Sequence, residues 1–285
     1  MTRRRFPVGK TLLYVFMSLW ALTTIYPFIW VILNSFKPRG LIRSDTFSLP
    51  IGDKFTLENY VTAFKRVDIG TAYVNSIVIS GAVTVVVMVL AGLAAYAMVR
   101  YSFRLRGFLH SMIIASMMFP VFSTIIPVFR MESSWGIVNT GSIWLTRLSV
   151  VLPQIAGNLS FAIIVLMGFI RSLPVDLEEA AYLEGYNVYQ IFFRIIMPLA
   201  KPSFATVGIF TFLWSYNDLF LQMFFLRSKK FFPITRLLNE ISSQAGTNYG
   251  LMVAAVVMVV IPVLVVYIFL QNYIIKGMTA GAVKG

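Results

Sequence analysis

Six long stretches without a charged side chain dominate this sequence. They lie between Lys10 and Lys37, Asp68 and Arg100, Arg106 and Arg130, Arg147 and Arg171, Lys201 and Arg227, and Glu240 and Lys276; only His110 and Asp218 interrupt them. A helix rises about 1.5 Å per residue, so about 20 residues cross a hydrocarbon core of roughly 30 Å. Every stretch is long enough. Thr11–Leu33 is the apolar centre of the first and Leu251–Tyr273 that of the last. Inside a bilayer the backbone must satisfy its own hydrogen bonds, which selects helices. The pattern predicts an all-α polytopic membrane protein with six transmembrane helices. Composition excludes a soluble fold: 58% of residues are hydrophobic and 12% charged, against roughly 25% charged in an ordinary soluble domain.

The net charge of +13 sits in the short connections, where topology and anionic head groups explain it better than nucleic acid does. Cysteine is absent and His110 is the single histidine, which removes thiolate chemistry and leaves little for a metal cluster. The chain has no Gly-x4-Gly-Lys-Ser/Thr phosphate loop. Arg3–Arg5 and Lys10 precede a run too long for a signal peptide, so the first stretch reads as an uncleaved helix. The basic residues favour inside termini only weakly. Pro27, Pro120, Pro127, Pro153 and Pro262 punctuate the spans; packing kinks and gating hinges are both open readings. Asp218 is the only acid inside an apolar run, a candidate either for a polar cap or for contact with a translocated solute.

The connection from Arg171 to Pro202 is the most informative segment. Pro174 precedes Asp176, Glu178 and Glu179, which place negative charge in the first turn of a short helix. Gly185 ends that helix. Asn187, with Gln190 three residues on, reads as a new N-cap in a near capping box. Val188, Ile191, Phe192 and Ile195 then make one apolar face, and Pro198 closes the second helix. Tyr182, Tyr186, Tyr189 and Phe193 are left for other faces. The segment holds four acids and few bases before Arg194, so anionic lipid repels it and a protein partner fits it better.

Glu179-Ala180-Ala181, Gly185, Ile195 and Pro198 fall at the spacing Glu-Ala-Ala-x3-Gly-x9-Ile-x-Leu-Pro. This resembles the EAA loop of permease subunits of binding-protein-dependent ABC importers, with Met197 in place of leucine. Arg171-Ser172-Leu173-Pro174 is similar to the family's lead-in to the loop, and Gly136-Ile137-Val138-Asn139-Thr140 to one of its turns. The segment from Phe212 to Asp218 resembles Phe-Leu-Trp-Ser-Trp-Asn-Asp, with Tyr216 for tryptophan. The tail from Gly277 to Gly285 is similar to that of the smaller, six-span permease of maltose-type carbohydrate importers.

The resemblance implies a type I ABC importer permease fold with a cytoplasmic coupling helix. It implies a cytoplasmic segment 1–10, a first transmembrane helix 11–35, an outer connection 36–70, a transmembrane core 71–273 that includes the coupling loop 171–202, and a cytoplasmic tail 274–285. Such a subunit has no catalysis or cofactor of its own; ATP and Mg are used by a partner ATPase. The implied partners are a second permease subunit, two ABC ATPase subunits and an extracytoplasmic solute-binding protein, in a bacterial inner membrane. In the coupling loop, Glu179 would pair with a basic group of the ATPase, Ala180 and Ala181 would allow close approach, and Gly185 would make the turn. Tyr186, Asn187, Tyr189 and Phe192 would belong to the docked helix, with Pro198 at its end. Trp214, Tyr216, Asn217 and Asp218 are candidates for the solute path, and the segment from Arg227 to Gly250 for contact with the binding protein. The expected cargo is a carbohydrate of oligosaccharide size, with glycerol-3-phosphate or another small polar solute of the same importer class as the alternative. An ion-coupled secondary transporter needs more intramembrane ionisable groups than Asp218, and a membrane-embedded enzyme lacks its catalytic pair.

Overall fold

A computed structural model describes residues 8–244, 246 and 248–282 of the chain. Arg3–Arg5 and the last three residues of the tail lie outside them. Among the described residues all regular structure is helical. Four helices are long and apolar enough to cross a membrane: α1 (Val8–Ser35), α3 (Ile69–Arg100), α6 (Ile143–Ile170) and α12 (Tyr249–Ala282), the last two carrying Pro153 and Pro262 within unbroken helix. The short α2 (Glu58–Arg66) precedes α3.

The stretch expected to be the third span, punctuated by Pro120 and Pro127, is a broken pair, α4 (Arg106–Ser116) and α5 (Val121–Ser134), bent by 105°. Pro120 stands at the break in extended conformation, ψ 121°, as the N-cap of α5; proline cannot continue the ladder from α4, so the chain restarts. Two further short helices, α7 (Asp176–Leu183) and α8 (Val188–Leu199), lead into α9 (Lys201–Asn217), which meets α8 at 83°. The seven-residue α10 (Leu219–Phe225) and then α11 (Ile234–Gln244) follow.

The chain divides into two compact units. The first comprises residues 1–68 and 238–262. There the end of α1 is fixed by Asn59, whose amide donates to Ser35 O and Lys37 O at 2.9 Å each. The buried Lys37 ammonium donates to Asp45 O and Thr46 O at 3.0 and 2.8 Å, holding the following loop. None of the apolar centre of α1 is buried within the chain. A helix that is apolar all round and uncovered suits lipid or a companion helix.

The second unit comprises residues 69–237 and 263–285. Its core is α3, packed most extensively along α6 and next along α9. Ile79, Val83, Val87, Ala91 and Ala95 recur every four residues along α3, all 1% exposed or less. Small residues let helix backbones approach where the hydrophobic effect gives no drive between helices. Polar groups join the same helices: Arg147 donates to Asn75 Oδ1 at 2.8 Å, and Asn75 donates to Lys230 O and Phe232 O.

Candidate functional site

The elbow between α6 and α9 is built largely by local rules. Asp176, Glu178 and Glu179 occupy the first turn of α7. At its other end Tyr186 N donates to Ala181 O and Gly185 N donates to Tyr182 O, both at 3.0 Å. That pair of bonds is a Schellman closure, which requires a left-handed residue, and Gly185 supplies it with φ +85°. The next helix starts immediately. Gln190 N donates to Asn187 Oδ1 and Asn187 N donates to Gln190 Oε1, both at 2.9 Å, completing the capping box expected from those two residues.

The second helix differs from expectation at its far end. Pro198 does not close it; α8 runs to Leu199 and the chain bends at Ala200. Before Pro198, residues Phe192–Ile196 form a π turn, the kind of local widening by which a helix accommodates an irregular residue.

The expected docking residues fall into two groups. Glu179, Ala180, Asn187, Tyr189 and Pro198 are exposed, Tyr186 is half-buried beside the Arg194 guanidinium, and Leu183 at the tip is 91% exposed. Tyr182 is exposed and its hydroxyl lies 2.8 Å from that of Tyr101; this bond, more than burial, raises the Tyr182 phenol above its ordinary range. Ala181 and Phe192 are buried. Phe192, read both on the apolar face and within the docked helix, turns into the bundle at 1% exposure, against the rings of Tyr96, Phe193 and Phe204. Its neighbours along the apolar face fix its direction, so it anchors the elbow from behind.

Sequence reasoning missed the acid that faces inward. Glu178, not Glu179, is buried, at 3% exposure. Its Oε1 accepts from Arg100 Nε at 2.5 Å and its Oε2 from the Tyr96 hydroxyl at 2.7 Å. Arg100 also donates to Leu173 O at 2.9 Å. The available signal was the spacing of Gly92, Tyr96 and Arg100, one helical turn apart on α3.

The candidates around Asp218 are brought together, but mainly as structure. Asp218 ends α9 and caps α10: Leu221 N donates to Oδ1 at 3.1 Å and Gln154 Nε2 to Oδ2 at 3.0 Å. Ser215 in turn donates to Gln154 Oε1 at 2.6 Å. Tyr216 is buried, with its ring stacked on Phe212. Trp214 is half exposed beside Phe161 and Phe210, and Asn217 is exposed. At the far end of α6 from the elbow, Asn139, Arg227, Ser228 and Lys230 line an open cavity of about 350 Å³.

Comparison with known proteins agrees with this architecture. Residues 88–280 match the family described as "Binding-protein-dependent transport system inner membrane component". The chain is 33% identical to the diacetylchitobiose uptake system permease protein NgcG of Streptomyces coelicolor, over 95% of this chain and 88% of that one. It is 32% identical to the trehalose transport system permease protein SugB of Mycobacterium tuberculosis, over 92% and 93%. Among solved structures, a chain of a bacterial ABC transporter involved in the import of the acidic polysaccharide alginate superposes with a TM-score of 0.80 at 24% identity, covering 96% of this chain and 99% of that one.

Proposed function

Because the chain belongs to the family of inner-membrane components of binding-protein-dependent transport systems, we propose that it is one of two permease subunits that together form a solute path, driven by separate ATPase subunits docked on the elbow. The observation that carries this reading is the elbow itself. Two helices too short to cross a membrane, locked by a Schellman closure and a capping box, present Leu183, Tyr182, Tyr189 and Phe193 to solvent, with Glu179 beside them. Aromatic and aliphatic side chains held at an exposed tip need a protein surface to cover them.

The ATPases, with their ATP and Mg, lie in the cytoplasm on this reading, so the elbow and both termini are inside. The solute-binding protein delivers cargo from the opposite side, where the segment from Arg227 to Gly250 is the contact. The cargo is a carbohydrate of di- or oligosaccharide size, a class supported by the diacetylchitobiose and trehalose permeases among its relatives. Closure of the ATPases displaces the elbow, and the spans alternate between inward- and outward-open arrangements. Trp214 and Asn217 remain candidates to line the path; the buried Tyr216 and the capping Asp218 hold its shape.

The test is reconstitution of the chain with a partner permease, ATPase and binding protein from its own organism. Uptake of labelled diacetylchitobiose, trehalose and longer oligosaccharides is expected to require ATP and to be indifferent to a proton or sodium gradient. Uptake of glycerol-3-phosphate in place of every sugar would reassign the cargo, and gradient-driven uptake without ATP would refute the whole reading. Gly185→Val forces a β-branched residue into the left-handed region. It should lower the solute moved per ATP by about tenfold or more, read as uptake against phosphate release.

A further inference from the structure

Gly92, Tyr96 and Arg100 share one face of α3, and each meets a different part of the elbow or its exit. At Gly92 the place a Cβ would occupy lies 2.8–2.9 Å from ring atoms of Phe192 and Phe204, so those rings seat against bare backbone. Tyr96 touches both short helices: its ring lies 5.6 Å, centroid to centroid, from Phe192 of α8, and its hydroxyl donates to Glu178 of α7. Arg100 donates to the other Glu178 oxygen and to Leu173 O in the lead-in. The Arg100 and Glu178 side chains are 10% and 4% exposed.

Neither carboxylate oxygen lacks a donor, which is the condition under which a buried ion pair is tolerated. The first turn of α7 does not need this arrangement, since Asp176 and Glu179 serve the helix dipole from the surface. An apolar pair would hold α7 against α3 equally well. What charged, directional bonds add is a fixed position along and around the helix.

We propose that the Gly92–Tyr96–Arg100 face of α3 is the seat through which displacement of the elbow enters the bundle, with Glu178 as its positioning residue. This rests on the elbow being the ATPase docking element and goes beyond it. A stroke at the tip reaches α3 sideways, through Glu178 and Phe192, as well as along the backbone into α6 and α9. The elbow and α3 therefore move as one body.

The absence of cysteine makes the test direct. Glu184→Cys on the elbow and Val85→Cys on α3, both exposed positions, take spin labels in the full chain within its complex. In the wild-type background the distance distribution should be narrow and the same without nucleotide and with ATP plus vanadate. Glu178→Gln, nearly isosteric but uncharged, should broaden it already without nucleotide and shift it further on trapping. Arg100→Gln should do the same, and the double variant should be no broader than either single. If Glu178→Gln does not assemble, Tyr96→Phe, which keeps the ring against Phe192, carries the test. Labels that separate on trapping in the wild-type background overturn the proposal, as does a Glu178→Gln or Tyr96→Phe distribution identical to wild type or a double variant broader than both singles. The nucleotide-free arm lies within one chain, so it decides whether Glu178 and Tyr96 fix the elbow on α3 even if no ATPase docks there; failed docking counts against the functional reading alone.

Discussion

Two polar clusters are buried between the helices of the second unit, and they are finished to different degrees. At the elbow end, Tyr96, Arg100 and Glu178 form a closed set in which both carboxylate oxygens accept. Farther along α6 and α9, Gln154, Ser215 and Asp218 are linked, yet around them the Tyr216 hydroxyl, Gln222 Oε1, Asn158 Oδ1 and Thr211 Oγ1 are buried without a hydrogen-bond partner among the described residues. A satisfied cluster rigidifies what it joins, whereas unpaired buried groups lower the cost of rearrangement. The elbow end has the character of a fixed joint, and the middle of the bundle is held by fewer completed bonds.

Four substitutions break or sharpen this contrast, each read as a shift in thermal unfolding of the purified chain. Glu178→Ala strands a buried guanidinium and should cost about 3–5 kcal/mol, the largest effect; a shift within error would mean that the joint is not closed. Tyr96→Phe removes one hydroxyl bonded to a carboxylate and should cost about 1.5–3 kcal/mol. Asp218→Ala removes the cap of α10 and should cost about 0.5–2 kcal/mol, less than the loss of Glu178 because the surrounding cluster is already open. Tyr216→Phe, the same chemical change as Tyr96→Phe, removes a hydroxyl that has no partner and should be neutral or slightly stabilising. Equal losses from the two tyrosine variants would erase the distinction between the clusters.

How far the sequence alone could see follows from the range of the forces involved. The elbow was legible because a glycine closure and an Asn–Gln capping box are local chemistry, complete within a few residues. The long apolar spans were legible from length and composition. The inward acid was not: Glu178 and Glu179 are adjacent and equally suited to the first turn, and only Arg100 and Tyr96, far away in the chain, decide which is buried. The 105° bend at Pro120 was hidden for a related reason. A proline states that the ladder is interrupted, while its neighbours determine the angle at which the chain resumes. Phe192 shows which signal sets a residue's side: it lies inside the docking segment, yet it turns inward with Ile191, as the apolar spacing indicates.

The wide turn at Phe192–Ile196 has a geometric consequence. Successive α-helical residues advance by about 100° around the axis, and a π turn adds roughly one residue without adding a full step of rotation. The turn is thus a phase shifter, letting Tyr189 before it look outward while Ile196 at its end and Ala200 after it face inward.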